Sequence, residues 1–158
     1  MKNRSINQSI PTGQNLTIRP LGQEDVEEVS LLEAKSFSLP WQEKDFWDMV
    51  NREDSVYVVG VIEKKIVACC GVTNACGDGD INNVVVEETF RHQGIGRLMM
   101  ETLMNWGKEI GIENYTLEVR VSNTPAIGLY ESLGFVSAGI RPGFYEKPHE
   151  AAMIMWKR

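Results

Sequence analysis

The sequence predicts a mixed α/β domain, a sheet with helices packed on it. Three observations point that way. Runs of β-branched residues of strand length alternate along the chain with amphipathic helical stretches. A length of 158 residues suits one domain with one substantial core. Hydrophobic residues at 42% and charged residues at 24% are the proportions of a globular chain, not a disordered one.

Taken in order, Met1 to Asn15 is polar, lacks the apolar stretch of a signal peptide and is expected to be a flexible lead-in, with the domain spanning 16–158. Leu16-Thr17-Ile18-Arg19-Pro20 reads as a short strand stopped by proline. Val26, Val29 and Leu32 recur at helical spacing behind Glu24 and Asp25, which suit a first turn. A second short helix follows Pro40 and carries Trp41, Phe46, Trp47 and Val50. The runs Val56 to Ile62 and Ile66 to Thr73, separated by Glu63-Lys64-Lys65, predict an antiparallel hairpin. Asn74 to Asp80, with Gly77 and Gly79, reads as a loop, and Ile81 to Val86 as the next strand. Between Gln93 and Ile110, the positions Met99, Leu103, Trp106 and Ile110 form one helical stripe, stopped by Gly111. Tyr115 to Val121 alternates as a strand. Thr124-Pro125 opens a helix closed by Gly134, and Phe135 to Ile140 and Ala152 to Trp156 supply two more strands.

Charge and cysteine usage narrow the function. Lys plus Arg number 16 against 22 Asp plus Glu, a net charge of −6. Proteins that hold phosphate backbones carry a basic face, so direct nucleic-acid binding is not expected. Cys69, Cys70 and Cys76 are too few and too odd for a disulfide scaffold and read as small apolar side chains. The only histidines, His92 and His149, stand in unrelated contexts, and Asp78-Gly79-Asp80 falls far short of a calcium loop, so no metal site is expected. No window is long and apolar enough for a membrane span, and the cytoplasm is the expected compartment.

The most informative segment runs from Val84-Val85-Val86 through Arg91-His92-Gln93-Gly94-Ile95-Gly96-Arg97. A buried strand passes through a two-glycine loop straight into the long helix. Glycine lets backbone approach a ligand closely, and a helix start offers unpaired N–H groups that suit phosphate. The same residues also suit a plain strand-to-helix turn with solvated arginines. A P-loop is excluded because Gly96 is followed by Arg97, not by lysine and a hydroxyl residue. A dinucleotide fingerprint is excluded because its third glycine position holds Met99.

Arg91-x-x-Gly94-x-Gly96, after a strand and before a helix, resembles the pyrophosphate-binding motif of the GNAT (GCN5-related N-acetyltransferase) superfamily. Thr116-Leu117-Glu118-Val119-Arg120, Ser122-Asn123 and Ala126 through Phe135 are similar to the RimI-type branch, which acetylates the N-terminal alanine of a ribosomal protein, as is Ser38-Leu39-Pro40-Trp41. The resemblance runs from about Leu16 to the C-terminus. It implies the GNAT acyl-CoA N-acyltransferase fold, a largely antiparallel central sheet with about four helices. It also implies acetyl transfer from acetyl-coenzyme A to an amine by direct attack in a ternary complex. The acceptor it implies is a protein N-terminus, and nothing in the sequence speaks to oligomeric state.

The resemblance also assigns roles. Backbone groups of Val84, Val85 and Val86 would pair with the pantetheine arm like an added strand, with an N–H near Val86 polarising the thioester carbonyl. Arg91, His92, Gln93, Gly94, Ile95, Gly96 and Arg97 would hold the pyrophosphate. Asn123 would contact the cofactor, although it equally suits a helix cap before Pro125. Glu118 lies on the strand face shared by Thr116 and Arg120 and becomes the general base; from spacing alone it would be a surface carboxylate paired with Arg120. Tyr130 becomes the general acid or a hydrogen-bond donor to the leaving sulfur; otherwise it seals helix against sheet. Phe144 and Tyr145 resemble the aromatic pair lining the peptide channel, with Trp41 a further pocket wall. Where the branch has Glu-Asp before its last strand, this chain has Glu150-Ala151.

Proton arithmetic bears on the acceptor. An α-amine has a pKa of ~7.7 to 8.0 and a lysine ~10.4, a difference worth ~3.4 kcal/mol that one carboxylate base need not supply. A single Glu118 therefore suits an N-terminal amine. Two other readings stay open: a GNAT enzyme for a small amine (a polyamine, amino acid or antibiotic), and a coenzyme A-binding module without catalysis.

Overall fold

The β-branched runs pair as strands. In a computed structural model, which describes residues 4–158, they form one eight-stranded sheet with four α-helices on its two faces. The strands are β1 (Ile6–Ser9), β2 (Asn15–Pro20), β3 (Ser55–Ile62), β4 (Lys65–Ala75), β5 (Asp78–Val86), β6 (Asn114–Arg120), β7 (Val136–Glu146) and β8 (His149–Lys157). The helices are α1 (Val26–Ser36), α2 (Glu43–Val50), α3 (Ile95–Glu109) and α4 (Thr124–Ser132). Sheet order is β1-β2-β3-β4-β5-β6-β8-β7, antiparallel throughout except for the parallel pair β5–β6.

The sheet has a buried cluster on each face. Val56, Val58, Cys70, Val72, Leu117 and Val119 pack with the α3 stripe of Met99, Leu103 and Trp106. Tyr57, Val59, Cys69 and Val85 pack with Val26, Val29, Leu32 and Phe46 of α1 and α2. The alternation of β3 and β4 thus serves two cores, which is why both strands read as continuous apolar runs. Asp25 before α1 is buried, and the Arg19 guanidinium grips it through two hydrogen bonds of 2.6 and 2.9 Å.

Trp41, expected in the second helix, precedes α2, and three further segments differ from the sequence expectations. Ile6–Ser9, expected within a flexible lead-in, adds β1 to the sheet edge opposite Asn15–Ile18. Ile10 beside it is buried, and Arg4 bonds Glu109 at 2.9 Å while lying over the Trp106 ring. Strand β1 has every residue exposed and no apolar alternation, so only its backbone pairing marks it. Asn74–Asp80, expected as a loop, is a tight turn at Cys76 and Gly77, both at positive φ (54° and 94°), which lets β4 and β5 run longer. Cys76 is consequently exposed, unlike the buried Cys69 and Cys70. Strand β7 extends to Glu146, because pairing with β8 resumes at Tyr145–Glu150 after an irregular stretch.

The feature that shapes the site is a bulge in β5. Gly71 of β4 pairs with Asn82, but Cys69 pairs with Val85, so Cys70 alone faces both Asn83 and Val84. Asn83 takes a left-handed conformation, φ 58°, to make this possible. Beyond it β5 bends away from β6. Their parallel pairing covers only Asp78–Asn114, Gly79–Tyr115 and Asp80–Thr116, and the strands then diverge into a V.

The apex of that V is tightly filled. A Cβ on Gly79 would stand 2.8 Å from Ile112 Cγ2 and 2.9 Å from Val72 Cγ2. Gly79→Ala is therefore expected to lower unfolding stability by about 1–3 kcal/mol through overpacking, measured from the denaturant midpoint. An unchanged midpoint would mean the apex can relax.

Candidate active site

At one arm of the V, the chain leaves β5 and enters α3 through the two-glycine loop. His92 (φ 65°) and Gly94 (φ 81°) are both left-handed, and Gly94 is the cap of α3. The first helical bond is Leu98 N–H to Gly94 C=O, so the N–H groups of Ile95, Gly96 and Arg97 are unpaired. Those of His92, Gln93 and Gly94 also lack an acceptor among the described residues. Six successive donors at the positive end of a 15-residue helix make a nest suited to a phosphate group. A Cβ at Gly94 would meet nothing within 4 Å, so this side is open, whereas one at Gly96 would lie 3.1 Å from Leu129 of α4. Arg91 donates from Nε to the Val86 carbonyl at 3.0 Å. Arg97 instead donates to Ser132 Oγ, tying the start of α3 to the end of α4.

The strand leading to this loop presents a free edge. Glu87 N–H bonds Val67 C=O on the β4 side at 2.8 Å. Strand alternation therefore points the backbone of Val85 toward β4 and that of Val84 and Val86 into the V. Val85 itself is buried against the α1 face. Of the three valines expected to pair with an extended ligand, the geometry offers two.

On the α1 face the V opens into a cavity of about 850 Å³. Glu118 and Tyr130 both line it, with Val84, Leu117, Asn123 and Trp41, and the β7 residues Phe144 and Tyr145. Alternation along β6 buries Tyr115, Leu117 and Val119 and leaves Glu118 exposed on the other face. Glu118 makes no ion pair with Arg120, which binds Glu150 at 3.3 Å and the Pro148 carbonyl at 2.8 Å and covers the Tyr145 ring at 4.3 Å. Burial pushes the Glu118 carboxyl above its ordinary pKa; Asp80 adds to this and Arg141 opposes it. Tyr130 is almost fully buried, 6.0 Å from the Phe135 ring, and burial drives its phenol well above the usual tyrosine range.

The outer walls are aromatic. Phe144 and Tyr145 meet edge to face at 4.9 Å, and Trp41 lies 5.4 Å from Phe46 and 6.3 Å from Tyr57. Phe46 is fully buried and Trp47 is 43% exposed, so of that aromatic trio only Trp41 faces the cavity. Asn123 caps α4, its Oδ1 accepting from Ala126 N–H at 3.3 Å, while also lining the cavity. Glu150 accepts from Ser122 N–H at 2.7 Å, so it braces the turn after β6.

Among the cavity residues that escaped the sequence reading, Glu33 is the most deeply buried charged one. Glu33 of α1 is 0% exposed, and its Oε1 accepts from Tyr57 O–H at 3.0 Å and Asn83 Nδ2 at 2.6 Å. It therefore holds the bulge of β5 against α1. Burial raises its pKa from 4.5 to about 7, opposed by the bonds from Asn83 and Tyr57 and by the Trp41 N–H. Glu33 follows the apolar stripe of α1 by one position, but its partners lie 24 and 50 residues away, so no local pattern marks it.

A family model described as acetyltransferase (GNAT) family matches residues 26–135. The ribosomal protein bS18-alanine N-acetyltransferase of Salmonella typhimurium is 33% identical over 142 residues, covering 88% of this chain and 95% of that protein. The crystal structure of the ribosomal-protein-S18-alanine N-acetyltransferase from Escherichia coli superposes with a TM-score of 0.80 at 31% identity, covering 90% of this chain and 92% of that one. Ard1 from Thermoplasma volcanium also gives a TM-score of 0.80, at 25% identity over 90% of this chain and 96% of that one.

Glu33 has a consequence for stability. Its folded pKa of about 7 exceeds the unfolded 4.5, so between these values the folded state binds more protons. Stability is then greatest below that window and falls as pH rises through it. Glu33→Gln keeps an acceptor for Tyr57 and Asn83 and removes the titration. It is expected to remove roughly 1–3 kcal/mol of the loss between pH 5 and 8, so that the variant is the more stable at pH 8. Parallel melting curves of both proteins at the two pH values check this; equal pH dependence would refute the assignment.

Proposed function

The chain belongs to the acetyltransferase (GNAT) family, and from that premise we propose that it acetylates the α-amine of a protein N-terminus, the acceptor class suggested by relatives named as ribosomal-protein-alanine N-acetyltransferases. The observation that carries the proposal is the V between β5 and β6, which joins the N–H nest of residues 92–97 to the cavity holding Glu118 and Tyr130.

Acetyl-coenzyme A is the cosubstrate and supplies the acetyl group as an activated thioester. The chain's own groups fit it. The N–H groups of His92 to Arg97 would take the pyrophosphate, while Arg91 keeps to the Val86 carbonyl and Arg97 to Ser132. Val84 and Val86 would pair with the extended arm across the V, leaving Val85 to the β4 ladder. An N–H on the free edge of β5 would then face the carbonyl oxygen that gains charge as the amine attacks.

Glu118 accepts the proton that the amine loses. Its exposed position in the cavity gives an acceptor access to it, and its raised pKa brings its basicity closer to that of an α-amine. Tyr130 faces the sulfur as the C–S bond breaks. Its phenol sits above its usual ~10 while a thiol sits near ~8.5, so full proton transfer runs uphill. Tyr130 therefore acts as a hydrogen-bond donor to the leaving sulfur. Trp41, Phe144 and Tyr145 form the walls along which a peptide would run, and Asn123 supplies a polar side chain where the arm and the acceptor meet.

Thiol release measured with acetyl-coenzyme A and peptides beginning with alanine or serine tests the function. Turnover with peptides is expected, and turnover only with small amines would overturn the acceptor assignment. Glu118→Gln should lower kcat about 10²- to 10³-fold with coenzyme A affinity unchanged. Tyr130→Phe should lower kcat about tenfold, the loss of one hydrogen bond to the transition state. An unchanged kcat in Glu118→Gln would remove Glu118 as the base.

A further inference from the structure

Two buried oxygens of the acceptor cavity have no hydrogen-bond donor among the described residues: Glu33 Oε2 and Asn82 Oδ1. Both residues line the cavity that Glu118 and Tyr130 share. The sheet brings them to one face. Asn82 pairs with Gly71 and Gly71 with Tyr57, whose hydroxyl bonds the other oxygen of Glu33. A Cβ on Gly71 would stand 3.3 Å from Asn82 Oδ1 and 2.6 Å from the Tyr57 ring, so the three positions form one packed row beside Glu33.

The asymmetry of Glu33 is informative. Its Oε1 takes two side-chain donors and its Oε2 completes no hydrogen bond of ordinary geometry, the Trp41 N–H exerting only a weaker pull on the carboxylate. If the carboxylate served only to pin Asn83 and Tyr57, the amide of glutamine would do as well without burying a charge. No Lys or Arg among the described residues forms an ion pair with it; Tyr57 faces it from β3, Cys69 from β4, Asn83 from β5 and Asp45 from α2. A buried acceptor left unmet is costly, and two at one wall mark a place for a group rich in donors. An anion would be repelled and an apolar side chain would leave both oxygens unmet. A protonated amine has three N–H donors and the opposite charge.

We propose that Glu33 and Asn82 form the ammonium-binding pole of the acceptor cavity, holding the protonated α-amine of the incoming acceptor through Glu33 Oε2 and Asn82 Oδ1 before Glu118 takes its proton. The proposal rests on the reading that this cavity receives an amine acceptor. It divides the work between two carboxylates: Glu33 recognises the charged amine from the α1 side, and Glu118 deprotonates it from the β6 side. Burial holds the Glu33 carboxyl at about 7, so the pole gains its charge as pH rises through neutrality.

Steady-state kinetics with an alanine-starting peptide test it, with coenzyme A affinity measured separately by calorimetry. In Glu33→Gln the bonds to Tyr57 and Asn83 keep their acceptor, while a donor replaces the free oxygen. The acceptor KM should rise about tenfold or more at pH 8, with the loss falling on KM more than on kcat and with coenzyme A affinity intact. The wild-type acceptor KM should fall between pH 6 and 8, and that fall should be absent in Glu33→Gln. Asn82→Ala should raise the same KM roughly three- to tenfold and carries the test alone if Glu33→Gln does not fold. An acceptor KM within twofold of wild type in the folded variants would overturn the pole while peptide acetylation stands. Wild-type protein that binds coenzyme A but acetylates no peptide would overturn the functional reading beneath it.

Discussion

Everything in the site depends on the divergence of β5 from β6. Three residue pairs join the strands, and the bulge at Asn83 then turns β5 aside. A regular parallel pair would have used the inward-facing N–H and C=O groups of Val84 and Val86 in the ladder. The bulge keeps them out of the ladder, the Val86 carbonyl going to Arg91 Nε at 3.0 Å, and it costs the chain a left-handed asparagine, φ 58°, to do so. Glu33 and the Cys69 thiol meet that cost by holding the Asn83 side chain and carbonyl, at 2.6 and 3.7 Å. The same split leaves β5 and β6 apart beyond their three pairs, with Glu118 and Tyr130 lining the cavity that opens there.

Burial, more than paired charge, sets the chemistry of the mouth. Glu33, Glu118, Tyr130 and Tyr145 are all shifted upward with burial as the leading cause. Each therefore favours its neutral form more than it would in water, the condition in which a carboxylate becomes a stronger base and a phenol a weaker acid. At the other arm, backbone N–H groups add their partial positive charge to the full charges of Arg91 and Arg97. Arg97 bonds Ser132 and Arg91 the Val86 carbonyl, both neutral partners, and the nest of N–H groups at the start of α3 lies between these two cations in the chain. This is how a chain of net charge −6 accommodates a phosphate-bearing ligand.

Much of this was legible along the chain. The stripe of α3, the hairpin of β3 and β4, the glycine loop and the alternation that turns Glu118 away from Leu117 and Val119 are local periodicities. Strand β1 was not, because a polar edge strand is held by backbone pairing that carries no side-chain pattern. The turn at Cys76 and Gly77 resembled a loop because its glycines and acids are loop residues wherever they occur. Glu33 was hidden for a different reason. One glutamate within a helix is an ordinary surface residue until the sheet presses Tyr57 and Asn83 against it.

The order of elements from β2 onward and the two-glycine loop before α3 are written in short-range spacing, and motif resemblance supplied the family and the candidacy of Glu118 and Tyr130. Which valines turn their backbone into the V, which partners Arg91 and Arg97 bond, and which carboxylate sits buried were decided only by the tertiary structure. Those properties depend on a one-residue slip between β4 and β5 and on contacts spanning 24 to 50 residues. A bulge changes which backbone groups point outward without changing a residue's chemical type, so register, not composition, decides the site.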